Sequence, residues 1–169
     1  MEKDLILKEE FNLAFDWYKM IKISIIKDGA NIGYIGTYLM NKQDIEENMS
    51  WDDEEELIDY IEDDLRLYRK TCRFIYENLS ENKDCLFIDE IFINEDKRNK
   101  KYGSISLNKL INNFNGRILL QASPLLSLIN FDDYLNGRNE EIKKWTNKLV
   151  KFYEKLGFKI KEYPYMIRN

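Results

Sequence analysis

The chain has 169 residues, 44% hydrophobic and 34% charged, with a formal net charge of −5; this length suits one sizeable core, and an aromatic share of 14% excludes a disordered chain. There is no histidine, which excludes Ser-His-Asp and Cys-His catalysis and removes the commonest metal ligand, so no metal is expected. Acid–base chemistry is left to carboxylates, Tyr, Lys, Cys, backbone and water.

The first residues, Met-Glu-Lys-Asp-Leu-Ile-Leu-Lys, lack the apolar run of a signal peptide. No segment approaches the roughly 20 apolar residues that span a bilayer. Further on, Ile21, Ile23 and Ile25 alternate within 20–27, and Ile32, Tyr34 and Tyr38 alternate against Ile35 and Leu39 within 31–40. Asp28-Gly29-Ala30 between them is turn chemistry, so this region reads as a β-hairpin. From about Asp52 to Leu79 the period changes. Leu57, Ile61, Leu65, Tyr68, Cys72, Ile75 and Leu79 recur at steps of three and four, a helical stripe divisible into two helices. Ser50, three residues before Asp53, is a candidate cap for it.

Residues 85–93 form an apolar strand interrupted by Asp89 and Glu90. A polar loop follows, then a helix from Tyr102 to Phe114 that Asn115-Gly116 stops. Residues 117–122 make a short strand closed by Pro124, and 131–139 are loop-like. The last helix runs from Glu140 to Leu156, with Ile142, Trp145, Leu149, Phe152 and Leu156 on one face. Gly157 stops it, leaving room for one or two final strands. Cys72 and Cys85 both lie in apolar patterns, so buried free thiols and a cytoplasmic location are expected. The order describes one mixed α/β domain over residues 1–169.

Charge is divided along the chain. Residues 1–96 carry 11 basic and 25 acidic side chains, and residues 97–169 carry 15 and 6. Such a division serves an anion on one side and a cation on the other, or simply neutralises itself across the fold. The tract from Asp44 to Asp64 holds 12 carboxylates without Lys or Arg. It reads as an attractor for a cationic substrate or as the wet face of a helix. An acidic pI and the lack of an aromatic–basic motif argue against a nucleic-acid partner.

The loop Arg98-Asn99-Lys100-Lys101-Tyr102-Gly103-Ser104 leads into a helix N-terminus, where unpaired N–H groups and the helix dipole favour an anion. A phosphate would fit there; so would no ligand at all, the loop then being a basic surface turn. Asp89 and Glu90 interrupt an apolar strand, which is costly for a carboxylate buried without a partner. Strand alternation puts them on opposite faces, Asp89 with Ile91 and Ile93, Glu90 with Phe92.

The stretch Ile91-Phe92-Ile93-Asn94-Glu95-Asp96-Lys97-Arg98 through Gly103-Ser104 resembles motif A of the GNAT acetyltransferase superfamily. Residues Leu149 to Phe158, ending Phe-Tyr-Glu-Lys-Leu-Gly-Phe, resemble its motif B. The resemblance covers residues 85–169. Lys101 stands where the family usually has the first loop glycine, Asn99 where a glycine is common, and Thr146 where many members have an asparagine. The resemblance implies a GNAT-like, mostly antiparallel sheet with helices on both faces. It implies acetyl-CoA as cosubstrate, with cofactor contacts from Ile91, Phe92, Ile93, Arg98, Lys100, Lys101, Tyr102, Gly103 and Ser104. Direct acetyl transfer to a primary amine would follow, with Tyr153 protonating or hydrogen-bonding the departing sulfur and Asp89 or Glu90 as base. A packed structural role for Tyr153 and a solvated one for either carboxylate fit the same residues. A catalytically silent GNAT-fold module for CoA or protein binding is the alternative. A monomer or homodimer with a small-molecule or peptidyl amine, and no membrane or nucleic acid, completes the expectation.

Overall fold

The computed structural model describes residues 4–48, 53–124 and 140–169. The chain is mixed α/β with mostly antiparallel strand pairing. It divides into two compact units, one of residues 1–119 with Asn169, the other of 120–168.

The first unit opens with β1 (Leu5–Ala14), β2 (Tyr18–Lys27) and β3 (Ala30–Met40). Each pairs antiparallel with the next. Asp28 and Gly29 both take positive φ, 53° and 78°, as a tight turn matched to strand twist requires. Sequence alternation thus locates the β2–β3 hairpin. It does not reveal β1, in which Lys8, Glu9 and Glu10 break the pattern and a register shift falls between Glu9 and Phe11.

Three helices follow: α1 (Lys42–Asn48), α2 (Glu54–Leu65) and α3 (Arg69–Asn78). The predicted stripe is present and is split in two, because Arg66 adopts φ 54° and its N–H closes back on Glu62. Leu57, Ile61, Leu65, Cys72 and Ile75 are buried as the spacing demands. Ser50 lies outside the described residues. Asp53 itself caps α2, its carboxylate accepting from the Glu55 N–H at 2.9 Å. Across the α2–α3 turn, Arg69 and Arg73 both grip Glu55, so part of the acidic tract is internally paired. Cys72 and Cys85 are free and buried.

β4 (Cys85–Ile93) pairs antiparallel with β3. A short 3-10 turn (Glu95–Lys97) connects it to α4 (Tyr102–Asn113), which packs on β1 and β4 and buries Ser106, Leu107 and Ile111. β5 (Arg117–Gln121) comes after β4 in the sheet order, and the boundary between the units falls inside it.

The second unit holds α5 (Glu140–Glu154), β6 (Lys159–Glu162) and β7 (Tyr165–Arg168). β6 and β7 pair antiparallel. Gly157, at φ +88°, ends the helix as expected. The buried line of α5 differs from the predicted one. Thr146 and Val150 are buried, whereas Trp145 is 51% exposed. The step from 146 to 150 to 153 brings Tyr153, half-buried, onto the same side of the helix. The loop predicted over 131–139 lies outside the described residues.

Candidate functional site

The site is built on a fault in the β3–β4 ladder. Gly36 pairs with Glu90 and Thr37 with Ile88, so Asp89 is an extra residue in β4. A β-bulge of this kind leaves one residue unpaired and resets the alternation. Asp89 and Glu90 therefore turn to one face, and the opposed orientation expected from strict alternation is corrected. The electrostatics follow the same geometry. Glu90 and Asp89 both act on Tyr34 and Tyr38, and Glu90 acts on Asp89.

That face is aromatic. Tyr34 stacks on Phe92 across the ladder, with ring centroids 5.5 Å apart. Tyr38 stacks on Phe87 at 6.5 Å and tilts against Tyr18 at 5.9 Å. Between the tyrosines, Gly36 has no side chain, and a Cβ there would lie 3.3 Å from the Glu90 Cγ. Glu90 thus leans over the strand at Gly36. From the other side Gly36 pairs with Lys22, whose ammonium sits 4.6 Å above the Tyr34 ring and 4.0 Å from Glu10.

Asp89 is exposed, yet enough protein surrounds it to push its pKa up to about 6, by desolvation first and by the neighbouring Glu90 second. The two facts describe a carboxylate that solvent can touch but cannot fully hydrate. At neutral pH it is mostly ionised and can accept a proton. Tyr34 is raised to about 12, first by its hydrogen bond to Glu90. Tyr38 is raised to about 12, first by burial and then by Asp89. Both phenols stay protonated; the Tyr34 O–H is already donated to Glu90, so its oxygen remains an acceptor. The sequence signal for this wall was the acid pair inside an apolar strand; Tyr34, Gly36, Tyr38 and Lys22 became part of it only through register.

The loop after β4 is the second component. Ile91 and Ile93 are half-buried and pair with Ile35 and Gly33. Arg98 folds back, its Nε donating to the Ile93 carbonyl at 3.0 Å and its guanidinium lying 5.8 Å from the Phe92 ring centroid. Asn99 and Lys101 both adopt left-handed backbone, φ 61° and 62°. Both take a conformation natural to glycine, although neither is one. Lys101 is the N-cap of α4 and offers no side-chain cap; its carbonyl accepts from the Ser104 hydroxyl at 2.9 Å and the Ile105 N–H at 3.0 Å. Among the described residues, no acceptor takes the N–H groups of Tyr102, Gly103 or Ser104, the orphan donors of a helix start. Lys100 and Lys101 are exposed beside them. A Cβ on Gly103 would meet only Ile93 at 3.8 Å, so packing does not require that glycine.

In the second unit, Tyr153 is half-buried and edge-on to Phe152 and Phe158, with centroids 5.1 and 5.8 Å away. Its carbonyl accepts from Leu156 and Phe158 and so closes the helix end. Burial pushes its phenol up to about 12, which keeps the proton on oxygen at any physiological pH. Asn147, one residue beyond Thr146, is exposed and accepts from the Tyr163 hydroxyl at 2.9 Å. Among the described residues, no group of three or more His, Cys, Asp or Glu is arranged to hold a metal, and no helix is long and apolar enough to cross a membrane. The chain matches no family model and no curated protein.

Proposed function

We propose that the chain is an acyl-CoA-dependent N-acyltransferase of the GNAT type, moving an acetyl group from acetyl-CoA to a primary amine. The observation that carries this reading is the bulge at Asp89, which sets an accessible carboxylate with a pKa of about 6 among protonated tyrosines. In this mechanism the amine nitrogen attacks the thioester carbonyl and the carbon–sulfur bond breaks. Asp89, or water held by it, takes the proton leaving nitrogen, and Glu90 holds the Tyr34 hydroxyl that orients the acceptor. On the GNAT reading Tyr153, whose phenol burial keeps protonated, is the group that would give a proton to the departing thiolate. The pyrophosphate of the cosubstrate would rest on the free N–H groups of Tyr102 to Ser104, with Lys100 and Lys101 adding charge. The positive φ of Asn99 and Lys101 supports this, because the loop keeps a glycine-type path without the glycines.

A second reading, a catalytically silent module that binds CoA or a protein, is favoured by one observation. Arg98 spends its guanidinium on Phe92 and the Ile93 carbonyl, which leaves one fewer cation for a pyrophosphate. Incubation with acetyl-CoA and a panel of amines, read by mass spectrometry, separates the two. Transfer of one acetyl group supports the enzyme; CoA-dependent thermal stabilisation without transfer supports the module. Neither stabilisation nor transfer at millimolar acetyl-CoA removes both CoA readings.

A further inference from the structure

The first unit holds a second carboxylate position that the acyl-transfer mechanism does not use. Trp17, just before β2, is 2% exposed and donates its indole N–H to Asp64 of α2 at 3.0 Å. Asp64 itself is exposed, so this contact occupies one carboxylate oxygen and leaves the other to solvent. Among the described residues, no cation pairs with Asp64, Asp89 or Glu90. The acidic tract is therefore not uniform. Glu55 is held by Arg69 and Arg73, whereas Asp64 has no counter-ion.

Two tyrosines join Asp64 to the acid pair of β4. Asp64 lies close enough to Tyr18 to oppose its ionisation, and Asp89 does the same to Tyr38. The two rings tilt against each other at 5.9 Å; Phe15 stacks on Tyr18 at 4.5 Å and Phe87 on Tyr38 at 6.5 Å. Tyr18 is only 6% exposed, yet its hydroxyl has no hydrogen-bond partner among the described residues. The hydroxyl of Tyr38 has none either. A phenol this deeply packed normally finds a partner. Two unbonded hydroxyls between unpaired carboxylates suit a ligand that brings N–H donors and positive charge at both ends. Aromatic faces suit the methylene groups between those ends. The same face already holds one alkylammonium in this way, since Lys22 sits 4.6 Å above the Tyr34 ring. Asp64 is tied to the start of β2 and Asp89 lies on β4, with β3 between, so the two acidic positions are at least about 10 Å apart.

We infer that this strip binds a linear dication, an α,ω-diamine, with one ammonium at Asp89 and Glu90, the chain along Tyr38 and Tyr18, and the other ammonium at Asp64. The fate of the near end rests on the acyl-transfer reading. There the ammonium gives one proton to Asp89 and the resulting amine attacks the thioester carbon. The carbon–sulfur bond breaks as the carbon–nitrogen bond forms, and the second proton lost from nitrogen balances the one taken up by the departing thiolate. The far ammonium makes and breaks no bond; it selects the length of the chain.

Two measurements on the full chain test this. Calorimetric titration with diaminooctane, without acetyl-CoA, should show one saturable site, and octylamine should bind at least ten-fold more weakly. Asp64→Asn keeps an oxygen for the Trp17 N–H and removes the charge, so it should bring the diamine down to the octylamine level. Asp63→Asn, at an exposed neighbour on the same helix, should change binding less than two-fold. Should Asp64→Asn fail to fold by circular dichroism, Tyr18→Phe, which keeps the ring and drops the hydroxyl, should still weaken the diamine several-fold. With acetyl-CoA, kcat/KM read by release of the CoA thiol should favour diaminooctane at least ten-fold over octylamine and over diaminopropane, and Asp64→Asn should abolish that preference. Saturable diamine binding without transfer removes the enzyme reading and keeps the dication site. Equal transfer to octylamine and diaminooctane removes the dication site and keeps the enzyme. No heat at millimolar diaminooctane, equal loss in Asp63→Asn, or equally tight binding of diaminopropane would each overturn the inference.

Discussion

The two charged faces of this protein are made in different ways. The acidic face on β4 exists because a bulge turns two consecutive carboxylates the same way. The basic face on α5 exists because Lys144, Lys148 and Lys151 recur at helical spacing. The first depends on strand register, and register depends on a few backbone contacts. The second is written in the periodicity and asks nothing of its neighbours. The acidic face should therefore be fragile to changes that carry no charge, whereas the basic face should respond only to changes of charge.

Gly33 offers the hardest test of that fragility. A Cβ there would fall onto the Phe92 carbonyl oxygen and within 3.0 Å of the Ile93 Cα. Neither atom belongs to a flexible side chain, so the ladder itself would have to shift. Gly33→Val should cost at least about 3 kcal/mol in urea unfolding, and any acetyl transfer should vanish with the register. Gly36→Ala is the contrast. There the obstacle is the Glu90 side chain at 3.3 Å, which can swing aside, so a cost below about 1 kcal/mol is expected. Equal costs at the two glycines would contradict a register-built site.

Asp89→Asn comes next and separates chemistry from stability. Loss of a general base should lower turnover about 100-fold. The rising limb of the parent's pH–rate profile, centred near the Asp89 value of about 6, should flatten. Stability should move the other way. The folded pKa lies above the ordinary 3.8, so between these values the native state holds a proton that the unfolded chain has released. Stability falls as pH rises through that window and levels off above it. Asp89→Asn removes this loss, so the variant should be the more stable protein at pH 7 and equal to the parent at pH 3. Because Asp89 is exposed, solvent screening should keep the gain below about 1 kcal/mol. Denaturant curves at the two pH values check both halves.

Tyr153→Phe should do less, about a ten-fold fall in kcat with acetyl-CoA affinity unchanged, since the ring contacts with Phe152 and Phe158 survive. A loss of CoA binding equal to the loss of turnover would make the hydroxyl a structural group. This variant also sharpens the comparison, because Tyr153 lies on the buried side of the same helix that carries the lysines.

How much of this was legible in the sequence follows from which rules are local. The β2–β3 hairpin, α4, β5 and the stop at Gly157 are set by turn residues and periodicity within a few positions. The edge strand β1 escaped because Lys8, Glu9 and Glu10 interrupt its pattern at a bulge. The acid pair was visible as an anomaly, but its direction was not: alternation assumes one residue per step, and the bulge inserts a second. Trp145 was assigned to the buried face of α5 because it is large and apolar, yet Thr146 and Val150 take that place. A threonine among lysines gives a weak signal, and only packing reveals it.

The smallest expected effect concerns the loop that leads into α4. Lys101 adopts φ 62°, which costs a residue with a Cβ about 1 kcal/mol. Replacing it by glycine removes that strain but adds roughly the same conformational freedom to the unfolded chain. Lys101→Gly should therefore change stability by less than about 0.5 kcal/mol. Lys101→Val keeps the strain and makes it worse, because a β-branched side chain is least tolerant of positive φ, and should cost more than about 1 kcal/mol. The difference between the two variants isolates the backbone from the lost charge, which both share. If acetyl-CoA stabilises the glycine variant as much as the parent, the free N–H groups of Tyr102 to Ser104 carry the anion. If the stabilisation drops by the same amount in both variants, the Lys101 ammonium carries it, and the loop binds phosphate as a charge cluster.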